Sequence, residues 1–405
     1  MPEYFSGIEF MTTDKRGYGP FFILCLIGFA TFFSSYLRIP VMPLFAKSLG
    51  AGLTQVGIIN GAFMLTAGLL SIPAGLLADR TGRKIPVLFG IGATAVSSML
   101  VAWCQLPFQI AAAYFIFGAG LAAFAPGMLS LVADVIPSDR LGRAYSWYTT
   151  AIYSAMTLGP ASGGYLAKQL GLRQVFVVSA VLLAGIAIAG ILLLPATQSR
   201  HRSDPRTALA SSIELLRNLP LLACLLATAG SCIGFGVFMT FIPLYAAGIG
   251  HDPARVGLIF AAQAFTNVVG RIPLGMVADR VDRSGLVSCG LLVLSVSLAL
   301  FGITVRLELL LGCAVLLGVG MSLIYTAIGA LIVDLTPLPR RGLAMGMYNS
   351  CIYLGMMTGA TVMGFALQWL GYGTGFTLAG GVTLLTVLLF LGLIKCKPGE
   401  AINRH

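Results

Sequence analysis

The sequence predicts an all-α membrane protein with twelve transmembrane helices in two parallel six-helix repeats. Three observations predict this class. The 405 residues are 58% hydrophobic and 10% charged, whereas a soluble domain has about 25% charged residues. Predominantly apolar stretches of 20 or more residues, long enough to cross a bilayer, recur along the chain. A charged ten-residue segment also occurs twice, 200 positions apart.

Helices are the expected spans, because a backbone in lipid must satisfy its hydrogen bonds within the segment. The apolar stretches predict helices at 20–46, 54–78, 85–104, 107–134, 143–166, 173–195, 219–247, 254–278, 285–304, 308–334, 342–368 and 373–394. The resulting organisation is an N-terminal tail at 1–19, a six-helix bundle at 20–195, a linker at 196–218, a second bundle at 219–394 and a C-terminal tail at 395–405.

The distribution of basic residues predicts the orientation. When residues at the helix ends are counted with the adjoining loops, 18 of the 25 Lys and Arg residues lie in the tails and even-numbered loops, five in the odd-numbered loops and two inside the membrane. Cytoplasmic loops carry such an excess, so both termini and the linker are predicted to be cytoplasmic. The net charge of +11 thus reflects topology, and no nucleic-acid partner is expected.

The repeated segment gives the strongest sequence signal. Ser71–Arg80 and Arg271–Arg280 are identical at six of ten positions. Gly75 is expected to let its helix approach a neighbour closely, and Asp79 to face a helix N-terminus. A plain topogenic loop is the alternative.

The pattern G-x-L-A-D-R-x-G-R-K at 75–84 resembles the loop signature of the major facilitator superfamily of secondary transporters. In that superfamily the loop latches the two halves in the outward-open state. The resemblance implies a gating role for Gly75, Asp79, Arg80, Gly82, Arg83 and Lys84, and for Gly275, Asp279 and Arg280 of the second copy. The second copy departs from the pattern, with Asp282 and Ser284 at the Gly82 and Lys84 positions.

A second motif lies in the predicted helix 143–166. The segment Gly159-Pro160-Ala161-Ser162-Gly163-Gly164 combines a helix-kinking proline with glycines that permit close packing. It resembles the antiporter signature of drug-efflux branches, which implies a conformational role for Gly159, Pro160, Gly163 and Gly164, and implies export. A packing motif without directional meaning is the alternative.

The predicted helices contain few charges. None of the fourteen acidic residues falls mid-span, and Asp134 and Asp334 lie at helix ends. Exporters of cationic drugs usually need a buried carboxylate. Many proton-coupled members have an Arg where this chain has Tyr114, four residues before Gly118. A neutral or anionic solute is therefore predicted, and the usual proton-coupling mechanism is in doubt.

Two basic residues lie within the predicted helices and away from their ends. Gln263, Asn267 and Arg271 follow i, i+4, i+8 spacing and form one polar stripe. Arg38 lies in the outer third of its helix, at a depth similar to that of Asn60. Intramembrane charges are functional candidates, although Arg38 could snorkel to the interface and Arg271 could pair with Asp279 or helix carbonyls. The predicted substrate-binding residues are Arg38, Asn60, Tyr114, Ser231, Gln263, Asn267, Arg271, Tyr325, Asn349 and Tyr353.

The sequence thus predicts a secondary active transporter of the bacterial inner membrane that moves a small organic solute by alternating access, with efflux favoured. An organic-anion symporter or uniporter is the main alternative, and a non-transporting receptor or lipid scramblase is a remote one. The expected partners are the solute and the bilayer, with or without coupling to a proton gradient. We expect a monomer with no cofactor, no metal and no enzymatic activity.

Overall fold

A computed structural model describes residues 18–137, 140–195, 215–278, 281–337 and 340–394. Within these ranges all the regular secondary structure is helical. Twelve helices follow one another as α1 Tyr18–Tyr36, α2 Val41–Ser48, α3 Leu53–Thr81, α4 Lys84–Trp103, α5 Pro107–Val135, α6 Leu141–Leu170, α7 Leu172–Leu193, α8 Leu219–Gly248, α9 Pro253–Ala278, α10 Arg283–Phe301, α11 Leu307–Leu335 and α12 Arg341–Ile394. The predicted all-α class is confirmed. Most of the predicted linker lies outside the described residues.

One predicted helix is interrupted. The predicted helix 20–46 is broken between α1 and α2, where Pro40 lacks the N–H that a continuous helix requires. The Arg38 carbonyl instead accepts hydrogen bonds from the backbone N–H groups of Val41 and Met42, at 3.1 and 2.8 Å. In α12, the non-helical Gly371, with φ of 77°, forms a kink that divides the range into two helices, as predicted for 342–368 and 373–394.

The duplication seen in the sequence is also present in three dimensions. Helices α5 and α11 have bounds 200 residues apart. The turns at Gly50 and Gly250 have φ of 90° and 92°, and those at Gly171 and Gly371 have φ of 93° and 77°. Positive φ is easily adopted by glycine alone, so these four positions fix equivalent turns in both repeats. We call α1–α7 the N-terminal half and α8–α12 the C-terminal half.

Nine stretches within the described residues are long and apolar enough to cross a membrane. One of them, Leu343–Ile394, has 52 residues, enough for two crossings because one crossing takes about 20 residues. The interrupted α1 and α2 form a single stretch, Gly19–Ser48. Helices α6 and α9 fall outside the nine. Together these helices form the twelve-span fold.

The two halves meet in a pair of glycine-lined crossings. A Cβ on Gly257 of α9 would lie 2.5 Å from the Pro160 carbonyl oxygen and 3.2 Å from the Gly164 Cα, both in α6. The equivalent Gly57 of α3 faces the Ala360 carbonyl and lies 3.4 Å from the Gly364 Cα in α12. Backbones this close exclude larger side chains. Both crossings lie near the end of the protein that contains the four glycine turns, which we call the far end; the other is the tail end.

Candidate functional site

The site is a cavity of about 480 Å³ between the two halves. A volume of this order suits a small organic molecule. Its walls come from both halves, with α6 supplying Tyr153 and Met156, and α9 supplying the stripe that ends at Arg271. The glycine crossings close it toward the far end. Helices α11 and α12 extend its wall toward the tail end through Gly329 and Met345.

The polar stripe of α9 faces this cavity. Gln263, Asn267 and Arg271 all line it, as their i, i+4, i+8 spacing predicts for one helix face. Gln263 and Asn267 are largely buried, with 5% and 8% of their surface exposed. The Arg271 Nε donates a hydrogen bond to the Asn267 Oδ1 at 3.1 Å. Asn267 therefore orients the guanidinium toward the N-terminal half.

Arg271 also reaches the opposite half. Its Nη1 donates a hydrogen bond to the Tyr153 hydroxyl of α6. The guanidinium carbon lies 4.2 Å from the centroid of the Tyr153 ring and 5.5 Å from that of Tyr325. Cations lying over aromatic rings within about 6 Å are attracted by the ring quadrupole. These contacts hold a positive charge at the centre of the cavity.

Arg271 is the one charged residue among the described residues that line the cavity. The alternative partner named from the sequence, Asp279, lies outside the described residues. An arginine whose neighbours are amide, hydroxyl and aromatic groups can offer a bidentate site to a carboxylate or phosphate. The cavity is therefore chemically suited to a solute with an anionic or hydrogen-bond-accepting group.

The remaining wall is aromatic and thioether-rich. Tyr325, Asn349 and Tyr353, named from the sequence, line the cavity. Five methionines that were not predicted from the sequence also line it: Met156, Met239, Met321, Met345 and Met356. Flexible methionine side chains adapt to ligands of different shape. Their positions along the helices identify them as lining residues only when the cavity-facing side of each helix is already known.

Four predicted binding residues do not line the cavity. Arg38 and Tyr114 are buried inside the N-terminal half, with 0% and 1% exposed. The Ser231 hydroxyl donates to the Thr228 carbonyl of its own helix at 2.9 Å. Asn60 Nδ2 instead donates to Thr240 Oγ1 at 3.0 Å, linking α3 to α8 across the two halves. Depth along a helix was a poor guide, because it does not specify which face a residue occupies.

The glycine–proline motif of α6 packs on both sides of its helix. A Cβ on Gly159 would lie 2.8 Å from the Tyr36 Cβ, and Gly163 faces the Leu37 carbonyl at the break in the first predicted helix. Gly164 faces the Pro253 carbonyl of the other half, and Pro160 lines the cavity. The motif thus joins α6 both to its own half and to α9, which is the packing role considered above.

The charged loop at the tail end is only partly described. Gly82 ends α3 with φ of 82°, and the Arg83 guanidinium forms a salt bridge with Asp134. Lys84 Nζ donates to the carbonyls of Ile191 and Leu194, at 2.9 and 2.8 Å, and so caps the end of α7. The side chains of Asp79 and Arg80, the surroundings of Gly275, and all of Asp279 and Arg280 lie outside the description.

The role expected for Gly75 stays a prediction. No described atom lies within 4 Å of the point where a Gly75 Cβ would be. The second copy repeats the ion pair, because Arg283 binds Asp334. Asp282, at the position of Gly82, caps α10 by accepting from the backbone N–H groups of Ser284 and Gly285, at 3.3 and 2.9 Å.

Two helices at the far end are joined by an ion pair between the halves. Lys168 Nζ lies 3.0 Å from Asp252 Oδ2. The Asp252 carboxylate also accepts a hydrogen bond from the Arg255 backbone N–H at 2.9 Å. These contacts lower the pKa of Asp252 below its ordinary value. The hydrogen bond from the Arg255 N–H has the largest effect on this pKa, and Lys168 has the next largest. The far end is therefore closed by packing together with a charge pair.

Comparison with known proteins gives the same class. The chain is 26% identical to the multi-drug resistance efflux pump PmrA of Streptococcus pneumoniae, over 91% of this chain and 96% of that one. It is 24% identical to the staphylopine export protein of Staphylococcus aureus, over 94% and 96%. A solved structure of a mutant of the nucleoside transporter NupG shares the fold, with a TM-score of 0.79 at 13% identity, over 93% of this chain and 100% of that one.

A family model settles the assignment. The model of the Major Facilitator Superfamily matches residues 24–252 and again residues 224–404. The two matches overlap at 224–252 and together extend from residue 24 to residue 404, and the relative PmrA aligns over nearly its whole length. The chain is a multi-pass membrane transporter and belongs to the Major Facilitator Superfamily.

Proposed function

We propose that this transporter exports a small organic solute, anionic or neutral, by alternating access at the central cavity. The observation that supports this most strongly is the position of Arg271, a charged lining residue held at the interface of the two halves by Asn267 and Tyr153. A solute bound there contacts both halves. Transporters built from parallel repeats bind substrate at such an interface and rock the halves about it.

Export is supported by two observations. The segment 159–164 resembles the antiporter signature of efflux branches, and two relatives are named as an efflux pump and an export protein. The excess of basic residues at the tail end supports a cytoplasmic location for both termini, in the inner membrane of a bacterium. With this orientation, the cavity is closed toward the outside and extends toward the cytoplasm, so that it receives a cytoplasmic solute.

The remaining proposed roles are conformational. Gly159, Pro160, Gly163 and Gly164 permit the close packing of α6, and the segments at Gly75–Lys84 and Gly275–Arg280 are the proposed tail-end latch. Asp134 and Asp334 anchor these loops through Arg83 and Arg283. We propose that the chain works as a monomer, with bundles at 20–195 and 219–394.

A second candidate function is a symporter or uniporter of organic anions. Arg271 on the lining favours an organic anion as the solute, and Tyr114, at the place where many proton-coupled members have an arginine, favours a uniporter over a symporter. A uniporter would equilibrate its solute without any ion gradient. Export against a concentration gradient requires coupling to one.

Membrane vesicles of known orientation separate these candidates. Solutes are presented to inside-out vesicles that contain the wild-type protein, Arg271→Gln or no transporter, with and without a protonophore. Accumulation in inside-out vesicles that is lost in Arg271→Gln supports export. Concentrative uptake confined to right-side-out vesicles contradicts export and supports a symporter, and equilibration unaffected by the protonophore supports a uniporter.

A further inference from the structure

Arg38 lies inside the N-terminal half with most of its hydrogen-bonding capacity unused. Its Nη1 donates to Ser98 Oγ at 2.9 Å and approaches Ser97 Oγ at 3.4 Å. Its Nε and Nη2 have no partner among the described atoms, although the residue is 0% exposed. The Phe117 ring covers the guanidinium with its centroid 3.4 Å away. A buried charge without an opposite charge is costly, so this arrangement needs an explanation.

Other buried polar groups of the N-terminal half are also unsatisfied. Thr31 and Ser35 follow i, i+4 spacing on α1, which ends two residues before Arg38, and their hydroxyls have no partner among the described atoms. The Tyr114 hydroxyl is likewise unpartnered, and its ring centroid lies 5.2 Å from the Arg38 guanidinium carbon. We call Thr31, Ser35, Arg38 and Tyr114 the N-half polar cluster. Buried polar groups in native proteins are nearly always paired.

The C-terminal half shows that the fold does not require this cluster. Phe238 occupies the position equivalent to Arg38, and its ring packs against those of Phe260 and Phe301 with centroids 4.9 and 5.6 Å apart. The other three equivalent positions hold Ser231, Phe235 and Ala314. An apolar core therefore satisfies the packing at this place, so the guanidinium serves another purpose.

The helices that face the two places are joined by equivalent hydrogen bonds. Ser97 Oγ donates to the Ala113 carbonyl at 2.7 Å, and Ser297 Oγ donates to the Cys313 carbonyl at the same distance. The halves differ here in their side chains and also in their backbone, because Arg38 lies in the break between α1 and α2 whereas Phe238 lies inside the continuous α8.

We propose that the N-half polar cluster binds a small inorganic monoanion of the size of chloride, with Arg38 as its counter-charge. One such anion balances the single positive charge of Arg38. It accepts hydrogen bonds from the unused guanidinium N–H groups and from nearby hydroxyls. This site is separate from the central cavity. Phe63 lines the cavity and packs against Phe117 with ring centroids 4.8 Å apart, so these two rings lie between the cavity and the Arg38 guanidinium.

Bromide diffraction tests the site directly in the unaltered protein. Crystals of the full chain are grown with sodium bromide as the halide, and anomalous density is collected at the bromine edge. We expect a peak within hydrogen-bonding distance of the Arg38 guanidinium. Ordered water alone at that position, or an empty cluster, would overturn the proposal.

Thermal unfolding gives an independent measure. Sodium chloride is titrated against sodium gluconate at constant ionic strength, and a saturable rise in Tm is expected for the wild type. The rise should vanish in Arg38→Met and in Arg38→Phe, which copies the C-terminal half, and persist in Arg271→Gln. An equal chloride-dependent rise in Tm in the Arg38 variants contradicts the proposal. Failure of the proposed function is distinguished from this result, because it concerns the response of Tm to organic solutes in Arg271→Gln.

Discussion

Arg271 of α9 donates a hydrogen bond to the hydroxyl of Tyr153 on α6, with its guanidinium carbon 4.2 Å from the Tyr153 ring centroid. The two residues belong to different halves, so this contact lies at the interface that alternating access must rearrange. A solute group that accepts hydrogen bonds from the Arg271 guanidinium competes with the Tyr153 hydroxyl for them. Binding of the solute and the relative stability of the closed far end are therefore coupled.

The hydroxyl of Tyr153 provides the first prediction. Tyr153→Phe removes the bond across the halves but keeps the aromatic ring. We expect the equilibrium between the far-end-closed and far-end-open states to shift toward the open state by about fivefold. This shift corresponds to about 1 kcal/mol, the contribution of one hydrogen bond that faces an open cavity. Distances between spin labels at the far end measure this shift. Tyr353→Phe, on the equivalent position of the other half, should leave the equilibrium near that of wild type.

The glycine crossings give a prediction about packing. In Gly57→Ala the new methyl group meets the Ala360 carbonyl, so we expect a loss of about 1–3 kcal/mol from the far-end-closed state. Gly92→Ala is the matched control, because no described atom lies within 4 Å of its Cβ position. Cysteine accessibility at the far end should rise in Gly57→Ala only. Equal accessibility in both variants would refute the assigned role of the crossing.

The pair of Lys168 and Asp252 predicts a specific pH dependence. Its contacts lower the pKa of Asp252 from the ordinary 3.8, so the pair favours the closed far end above that pH. This stabilisation of the closed far end is lost as the pH falls through the lowered pKa of Asp252, since protonation removes the charge of the carboxylate. Between about pH 5 and 8 it should be constant. Far-end accessibility measured against pH checks this, and Asp252→Asn should show raised accessibility at neutral pH.

The two tail-end ion pairs differ in exposure, which predicts different costs. The Asp134 side chain is 23% exposed and that of Asp334 is 61% exposed. Solvent weakens exposed pairs, which contribute about 0.2–1 kcal/mol. Asp134→Asn should therefore lower the Tm more than Asp334→Asn. A larger loss for Asp334→Asn would show that these loops are stabilised by other contacts.

The sequence predicted the site best where helical periodicity applied. Gln263, Asn267 and Arg271 share a face because of their spacing, and all three line the cavity. Arg38 was harder to place, because the helix ends at Tyr36 and the chain turns before Val41. That break was not predicted, so the orientation of Arg38 could not be read from its depth.

The repeat predicted other features that composition could not. The offset of 200 residues aligned Asp134 with Asp334, and both pair with an arginine at equivalent positions. The bonding of Asn60 to Thr240 across the halves was not predictable, because such contacts depend on how the two halves approach each other. The cavity-lining methionines were missed for the same reason.

A thermal-shift screen of solutes tests the central claim most directly. Organic anions, neutral solutes and lipophilic cations are added to the wild type, Arg271→Gln and Arg173→Gln, the last being an arginine bound to the Cys104 carbonyl away from the cavity. Stabilisation grows with ligand concentration relative to Kd, so weak ligands also register. We predict that an organic anion raises the Tm of the wild type and of Arg173→Gln but not of Arg271→Gln. Stabilisation by lipophilic cations alone, or an anion response that survives in Arg271→Gln, would contradict the account.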